Sequence, residues 1–190
     1  MLGMEKRGCL YVGGDDSNHA GDSKGEIDVA TFSLDPTDSI VQYLSYRSKE
    51  KLDAWLKLQN RDYRFAVLTA ERYKHIGQNL GNTMPDLIEA YIRQKRLWTP
   101  YIKIYLDGDL EERTKEEMKE KLLSFWRGNP ENLTIETFAK RGKKGKGGRG
   151  RKHHCPAVVY YADSLAHRLY EEKTFEELSI HEKLIVIKDK

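Results

Sequence analysis

Residues 9–17 have the sequence CLYVGGDDS, an apolar run that ends in two glycines, two adjacent aspartates and a serine. An apolar run of this kind predicts a buried strand. The strand would bring Asp15 and Asp16 to the mouth of a sheet, where the glycines would leave space for a ligand to approach the backbone. Two neighbouring carboxylates repel each other unless a cation or a base lies nearby. Taken alone, the stretch slightly favours a strand followed by a solvated Asp-Asp turn. Whether the two aspartates belong to a functional site depends on whether other carboxylates join them.

The composition is typical of one highly charged globular domain. The chain has 190 residues, of which 38% are hydrophobic and 33% are charged, and this predicts a single domain over residues 1–190. No apolar run approaches the length of a membrane span, and the N-terminus lacks the apolar core of a signal peptide, so we expect a soluble cytoplasmic protein. Cys9 and Cys155 are too few for a disulfide framework, and we expect two buried free thiols.

Positive charge is concentrated in residues 140–152, KRGKKGKGGRGRK, which we call the basic tract. The chain carries +3 overall and the basic tract carries +8, which leaves −5 for the remainder. The tract predicts a flexible loop because it has no hydrophobic face to bury. Basic residues separated by glycine suit contacts with phosphates, and a solvated loop without a partner is the alternative. The predicted nucleic-acid-binding residues are Lys140, Arg141, Lys143, Lys144, Lys146, Arg149, Arg151 and Lys152.

The remaining segments alternate between strand and helix patterns. Strands are predicted at residues 27–34, 41–46, 64–69, 101–106 and 133–138, and helices at residues 48–58, 85–96, 114–126 and 162–172. We expect the opening strand, which begins at Cys9, and the strand at residues 27–34 to form a hairpin, and Thr83 to cap the helix that begins at Pro85. Residues 156–161 predict a strand or the lead-in to a helix, and residues 183–188 a short terminal strand or tail. This order of elements predicts an α/β fold with a mixed β-sheet.

Further carboxylates stand where elements begin or end. Asp107 and Asp109 follow the strand at residues 101–106, and Asp163 stands near the predicted start of a helix. Carboxylates at the ends of neighbouring strands can converge on hard divalent cations, and two such ions about 3.5–4 Å apart can activate water for attack on a phosphodiester. Each aspartate also has an ordinary explanation, in turn chemistry or helix capping. Together they favour a metal site more strongly than any of them does alone.

This set of carboxylates resembles that of the ribonuclease-H-like superfamily, and most closely a branch whose members open with an apolar strand into Asp-Glu-Ser-Gly. Members of that branch close with a Gln-Leu-Ala-Asp-Leu-type motif on a helix. Here Asp15, Asp16 and Ser17 stand at the first three positions of the opening motif, and Asn18 replaces its glycine. Asp163, in the sequence YYADSLA, stands at the aspartate of the closing motif. The resemblance implies a ribonuclease-H-like α/β fold with helices flanking the sheet.

The resemblance also implies a site. Asp15, Asp107 and Asp163 would be catalytic and would hold Mg²⁺ or Mn²⁺, and Asp16 and Asp109 would be supporting or alternative metal ligands. His167 follows Asp163 by one helical turn and is a possible accessory residue for proton transfer or phosphate binding. An exposed or structural histidine is the alternative.

These observations predict a divalent-metal-dependent nuclease, or a related phosphoryl-transfer protein, that acts on nucleic acid. One alternative is a non-catalytic nucleic-acid-binding module of the same fold. Another is an interaction protein whose basic tract binds an acidic partner. The spacing of His153, His154 and Cys155 fits no standard zinc pattern, and the sequence contains no P-loop and no dinucleotide-binding fingerprint.

Overall fold

The computed structural model describes residues 5–6, 8–17, 25–45, 49–68, 79–138 and 152–186. Its strands are β1 (Glu5–Lys6), β2 (Cys9–Asp16), β3 (Glu26–Ser33), β4 (Val41–Ser45), β5 (Arg61–Leu68), β6 (Leu97–Trp98), β7 (Tyr101–Asp107), β8 (Leu133–Phe138) and β9 (Lys152–Pro156). Its α-helices are α1 (Lys49–Leu56), α2 (Asn79–Lys95), α3 (Glu112–Phe125), α4 (Ala157–Glu172) and α5 (Phe175–Ser179). None of the helices in these ranges is long and apolar enough to cross a membrane.

Five strands form the central sheet, in the order β5-β3-β2-β7-β8. β3 runs antiparallel to both β2 and β5, whereas β2, β7 and β8 are parallel to one another. Two small pairs lie outside this sheet: β1 with β6, parallel, and β4 with β9, antiparallel. The predicted α/β fold with a mixed sheet flanked by helices is therefore confirmed, and so is the predicted hairpin of β2 and β3.

The sheet is covered by helices on both faces. Alternate side chains of a strand point to opposite faces. One face, which includes Val12, Phe32 and Ile104, packs against α2 and α3 through residues such as Leu87 and Leu122. The other face packs against α4, where Ile27, Val29 and Phe65 contact Leu165 and Leu169. Asp15 pairs with Val29 and Asp16 pairs with Asp28, so the two neighbouring aspartates lie on opposite faces of the sheet.

Helices α2 and α4 begin five or more residues earlier than the sequence pattern predicts. α4 starts at Ala157, so residues 156–161 are mostly helical, and Asp163 lies in the second turn rather than at the helix start. The segment resembles a strand because a helix buried on nearly all sides carries apolar residues all round and loses its polar face. α2 starts at Asn79, so Thr83 and Pro85 are inside the helix, and Thr83 is not its cap.

The two glycines of the opening strand make room for protein rather than for a ligand. A Cβ atom at Gly13 would come within 2.2 Å of the backbone carbonyl carbon and oxygen of Val158 in α4. A Cβ atom at Gly14 would come within 2.3 Å of the Met84 side chain and 2.5 Å of the Leu106 side chain. The expectation of free space for a ligand at these glycines is therefore wrong, because α4 and the core occupy it.

The described part of the C-terminal segment, which was predicted as a short strand or a tail, forms an isolated bridge. Leu184 bridges to Phe65 in parallel. The Phe65 N–H donates to the Lys183 carbonyl at 3.2 Å, and the Ile185 N–H donates to the Phe65 carbonyl at 2.8 Å. This segment therefore lies along the outer edge of β5, which is the last strand on its side of the sheet.

Candidate metal centre

Strand register brings the first two aspartates of the site together. β2 and β7 are adjacent and parallel, and Gly14 is paired with Leu106. Asp15 and Asp107 are the next residues on their strands, so both side chains arrive at the same edge of the sheet. Because Val29 and Tyr105 occupy the α4 side of the sheet, strand alternation points Asp15 and Asp107 to that side as well.

Helix α4 supplies the third aspartate. Its first turn is held against the sheet by the Thr31 hydroxyl, which donates to the Val158 carbonyl at 2.7 Å. Gly13 permits this close approach because it has no Cβ atom. With its first turn fixed in this way, α4 carries Asp163 to the end of the two strands.

The three carboxylates converge. Asp15, Asp107 and Asp163 each offer one oxygen, and these oxygens lie within 4.8 Å of one another. Asp15 is 4% exposed and Asp163 is 6% exposed, whereas Asp107 is half-buried. The Asp16 N–H donates to Asp15 Oδ1 at 2.9 Å, which orients that carboxylate. We call these residues the three-aspartate cluster.

Cys155 lies in the electrostatic field of this cluster, although no spacing pattern in the sequence links it to the three aspartates. Burial raises the pKa of the Cys155 thiol to about 12, and the negative charges of Asp107, Asp163 and Asp15 contribute to this rise. The oxygens that converge at this point come from carboxylates, which suit a hard divalent cation such as Mg²⁺ or Mn²⁺.

The other predicted site residues lie elsewhere. Asp16 is on the opposite face of the sheet, where it groups with Glu26 and Asp28. Asp109 is exposed beyond the end of β7, after the turn at Gly108. His167 Nε2 lies 3.0 Å from Glu171 Oε2. The structure thus brings Asp15, Asp107 and Asp163 together but leaves Asp16, Asp109 and His167 outside their group.

The described elements on either side of the basic tract adjoin or lead into elements that carry the three-aspartate cluster. Residues 140–151 lie outside the described part of the chain, and Lys152 begins β9. On the N-terminal side, Phe138 at the end of β8 is paired with Asp107. On the C-terminal side, β9 leads directly into α4, which carries Asp163.

Comparison with known proteins gives likenesses among solved structures. No protein-family model and no curated protein sequence matches the chain. It is similar to a chain in the solved structure of the PCNA:RNase HII complex from Archaeoglobus fulgidus, with 14% sequence identity and a TM-score of 0.46. The match covers 90% of this chain and 76% of that chain. A similarity of this size is too low to show membership of a family.

Proposed function

We propose that the protein is a divalent-metal-dependent nuclease, or a related phosphoryl-transfer protein, that acts on nucleic acid and has a ribonuclease-H-like fold. One observation carries the proposal: the oxygens of Asp15, Asp107 and Asp163 lie within 4.8 Å of one another. Three converging carboxylates repel one another, and a bound cation relieves this repulsion. A site of this kind at the end of parallel strands supports metal-assisted hydrolysis of a phosphodiester.

The residues of the three-aspartate cluster share one role in this proposal but differ in their exposure. Asp15, Asp107 and Asp163 would hold Mg²⁺ or Mn²⁺ through carboxylate oxygens. A divalent ion, when bound, supplies positive charge that polarises a phosphate oxygen and makes water a stronger nucleophile. Asp15 and Asp163 are buried and held by packing, whereas Asp107 is the most exposed of the three, so substrate approaches from the Asp107 side.

The basic tract would bind the phosphate backbone. Lysines and arginines displace counterions from nucleic acid, and the glycines between them let the chain follow a backbone. The support for this role is the position of the described elements on either side of the tract: Phe138 of β8 is paired with Asp107, and β9 leads into α4. Such contacts position a substrate without selecting a base sequence.

A cytoplasmic location remains a prediction from the sequence.

The test is a cleavage assay of the full chain on DNA, RNA and a DNA–RNA hybrid, with Mg²⁺, with Mn²⁺ and with EDTA. We expect cleavage with the metals and none with EDTA. Asp15→Asn and Asp163→Asn should each lower the rate by about two orders of magnitude or more, because each removes a charged ligand. Asp109→Asn is the matched control and should keep the wild-type rate, because Asp109 is exposed and outside the cluster.

The outcomes separate the functional classes. A wild-type chain that cleaves none of the three substrates with either metal contradicts the proposal. If that chain still binds nucleic acid, the non-catalytic binding module is favoured. If it binds none, an acidic protein partner for the basic tract is favoured. Circular dichroism of each variant establishes that a lost rate does not reflect a lost fold.

A further inference from the structure

A second group of carboxylates lies on the sheet face opposite to the three-aspartate cluster. Asp16 on β2 is paired with Asp28 on β3, and Glu26 stands two residues before Asp28, so all three side chains point to the face covered by α2. Each offers one oxygen, and these oxygens lie within 4.8 Å of one another. We call these residues the Asp16–Glu26–Asp28 group.

The hydrogen bonds that reach this group leave one buried oxygen without a donor. Asp28 is fully buried, at 0% exposure. The Thr83 hydroxyl donates to Asp28 Oδ2 at 2.5 Å, but Asp28 Oδ1 has no hydrogen-bond partner within the described ranges. Glu26 is 4% exposed, and its Oε2 accepts from Asn79 Nδ2 at 3.1 Å. A buried carboxylate oxygen that lacks a donor is costly for a fold.

The two buried carboxylates of the group, Glu26 and Asp28, pack without a basic side chain among the described residues. In the part of the chain that the structure describes, no Lys or Arg side chain forms an ion pair with Glu26 or Asp28. Burial raises the pKa of Asp28 well above its ordinary value. The negative charge of Glu26 and a hydrogen bond between the two side chains raise it further, whereas the hydrogen bond from Thr83 lowers it. Carboxylates buried together need a cation or a proton between them.

We propose that Asp16, Glu26 and Asp28 bind a second hard divalent cation, on the α2 side of the sheet. Carboxylate oxygens are the ligands that Ca²⁺, Mg²⁺ and Mn²⁺ prefer, and Asp28 Oδ1 supplies a buried oxygen that accepts from no donor in the described ranges. Asp16 is half-buried and forms the entry for the ion. Asn79 and Thr83, both from α2, orient Glu26 and Asp28. A cation here joins β2 and β3 at the start of α2, and its binding does not depend on nuclease activity.

The experiment measures Mn²⁺ binding to the full chain by electron paramagnetic resonance of free Mn²⁺. The background is the double variant Asp15→Asn with Asp163→Asn, which removes two ligands of the three-aspartate cluster. We expect this background to bind one Mn²⁺ per chain. Adding Asp16→Asn or Glu26→Gln should weaken that binding by about 10-fold or more, because each removes a charged ligand. Adding Asp109→Asn, the matched control, should leave the affinity unchanged.

A thermal melt supplies the second measurement. Mn²⁺ should raise the melting temperature of the background variant and should not raise that of the variant with Asp16→Asn, because an ion that binds only the folded state stabilises it. Asp16 is the least buried of the three residues, so its substitution tests the site without disturbing the core. A background variant that binds no Mn²⁺ and melts at the same temperature with and without it overturns the proposal.

A shared proton is the competing explanation. If Glu26 and Asp28 share a proton instead of a cation, Asp28→Asn should keep or raise the melting temperature, with no effect of Mn²⁺ in either chain. That result overturns the cation site. Cleavage is not measured in this experiment, so a chain that cleaves nothing leaves the binding result intact, and the two proposals fail separately.

Discussion

Asp62 is a residue of β5 at which three ion pairs meet. Its carboxylate lies 3.0 Å from Arg64 Nη1, 3.0 Å from Lys95 Nζ and 2.9 Å from Lys183 Nζ. Burial alone would raise the pKa of Asp62, but hydrogen bonds from Lys183, Lys95 and the Tyr63 N–H, with the charge of Arg64, lower it to about 2. Because the folded pKa is depressed, the stability that this carboxylate supplies is present above about pH 4 and is lost as the pH falls towards 2.

We therefore expect Asp62→Asn to lower the free energy of unfolding at pH 7 by about 1–2 kcal/mol, after allowance for solvent screening. The difference from wild type should shrink below about pH 4 and fall to a minor fraction of its size at pH 2, where about half of the wild-type carboxylates are protonated. Urea unfolding across this pH range measures it. Asp109→Asn, an exposed control, should change little at any pH. A deficit of equal size at pH 2 and pH 7 would show that charge is not the cause.

The aspartates show how far the sequence alone could predict which side chains come together in a site. Asp15 and Asp107 were predictable because each follows an apolar run, and the ends of neighbouring parallel strands meet at one edge. The partners of Asp16 were missed, although a signal was present: Glu26 and Asp28 alternate along a strand that forms a hairpin with β2. Residue patterns do not show which side chain is opposite which across a hairpin, because that depends on register.

At the scale of elements, the contact of α4 with β2 positions the three-aspartate cluster. A Cβ atom at Gly13 would meet the rigid backbone of Val158, whereas one at Gly14 would meet the flexible side chain of Met84. A Cβ atom at Gly8 would have open space around it, with nothing within 4 Å, so Gly8 serves as the control position. The three glycines therefore differ in what a methyl group would displace.

We expect Gly13→Ala to lower the free energy of unfolding by about 1–3 kcal/mol, because a methyl group there would push α4 away from the sheet. It should also weaken Mn²⁺ binding at the three-aspartate cluster, since Asp163 moves with α4. Gly14→Ala should cost less, because Met84 can adjust, and Gly8→Ala should cost least. Urea unfolding and Mn²⁺ titration measure the two effects. An unchanged Gly13→Ala variant would show that α4 tolerates displacement.

Local patterns predicted strands better than helix starts. The strand at 133–138 has the predicted bounds, and the strand at 101–106 is one residue longer than predicted. α4 was predicted five residues short, since Val158, Val159 and Tyr160 have the β-branched and aromatic side chains typical of strands. Tertiary burial on several sides overrides that local preference, and a single sequence does not show burial.

At the scale of the whole molecule, charge is strongly uneven. The basic tract carries +8 against −5 for the remaining chain, and it lies in the sequence between β8, which pairs with β7, and β9, which leads into α4. A positive segment beside an acidic site attracts a polyanion that the acidic body alone would repel. The predicted attraction of a polyanion comes mainly from residues 140–151, which lie outside the described ranges.

We expect replacement of the seven basic residues at 140–151 by serine to weaken nucleic-acid binding and flatten its salt dependence. Each lost phosphate contact should reduce the slope of log K against log salt by about 0.7–0.9. Fluorescence anisotropy at several salt concentrations measures this. A control chain with Lys115, Lys119 and Lys121 of α3 changed to glutamine should keep its slope. If the tract variant keeps the wild-type slope, the tract is not the binding surface.

The C-terminal segment along β5 has a consequence for self-association. A strand at the edge of a sheet offers unpaired N–H and C=O groups to any other extended chain, and this is a common start of aggregation. The backbone bonds between Phe65 and residues 183–185 cover part of that edge with the protein's own chain. The ion pair of Lys183 with Asp62 holds this cover in place. Acid that protonates Asp62 therefore has a second effect besides lower stability. It weakens the attachment of the C-terminal segment to β5, so the backbone groups at that edge of the sheet become available to another chain.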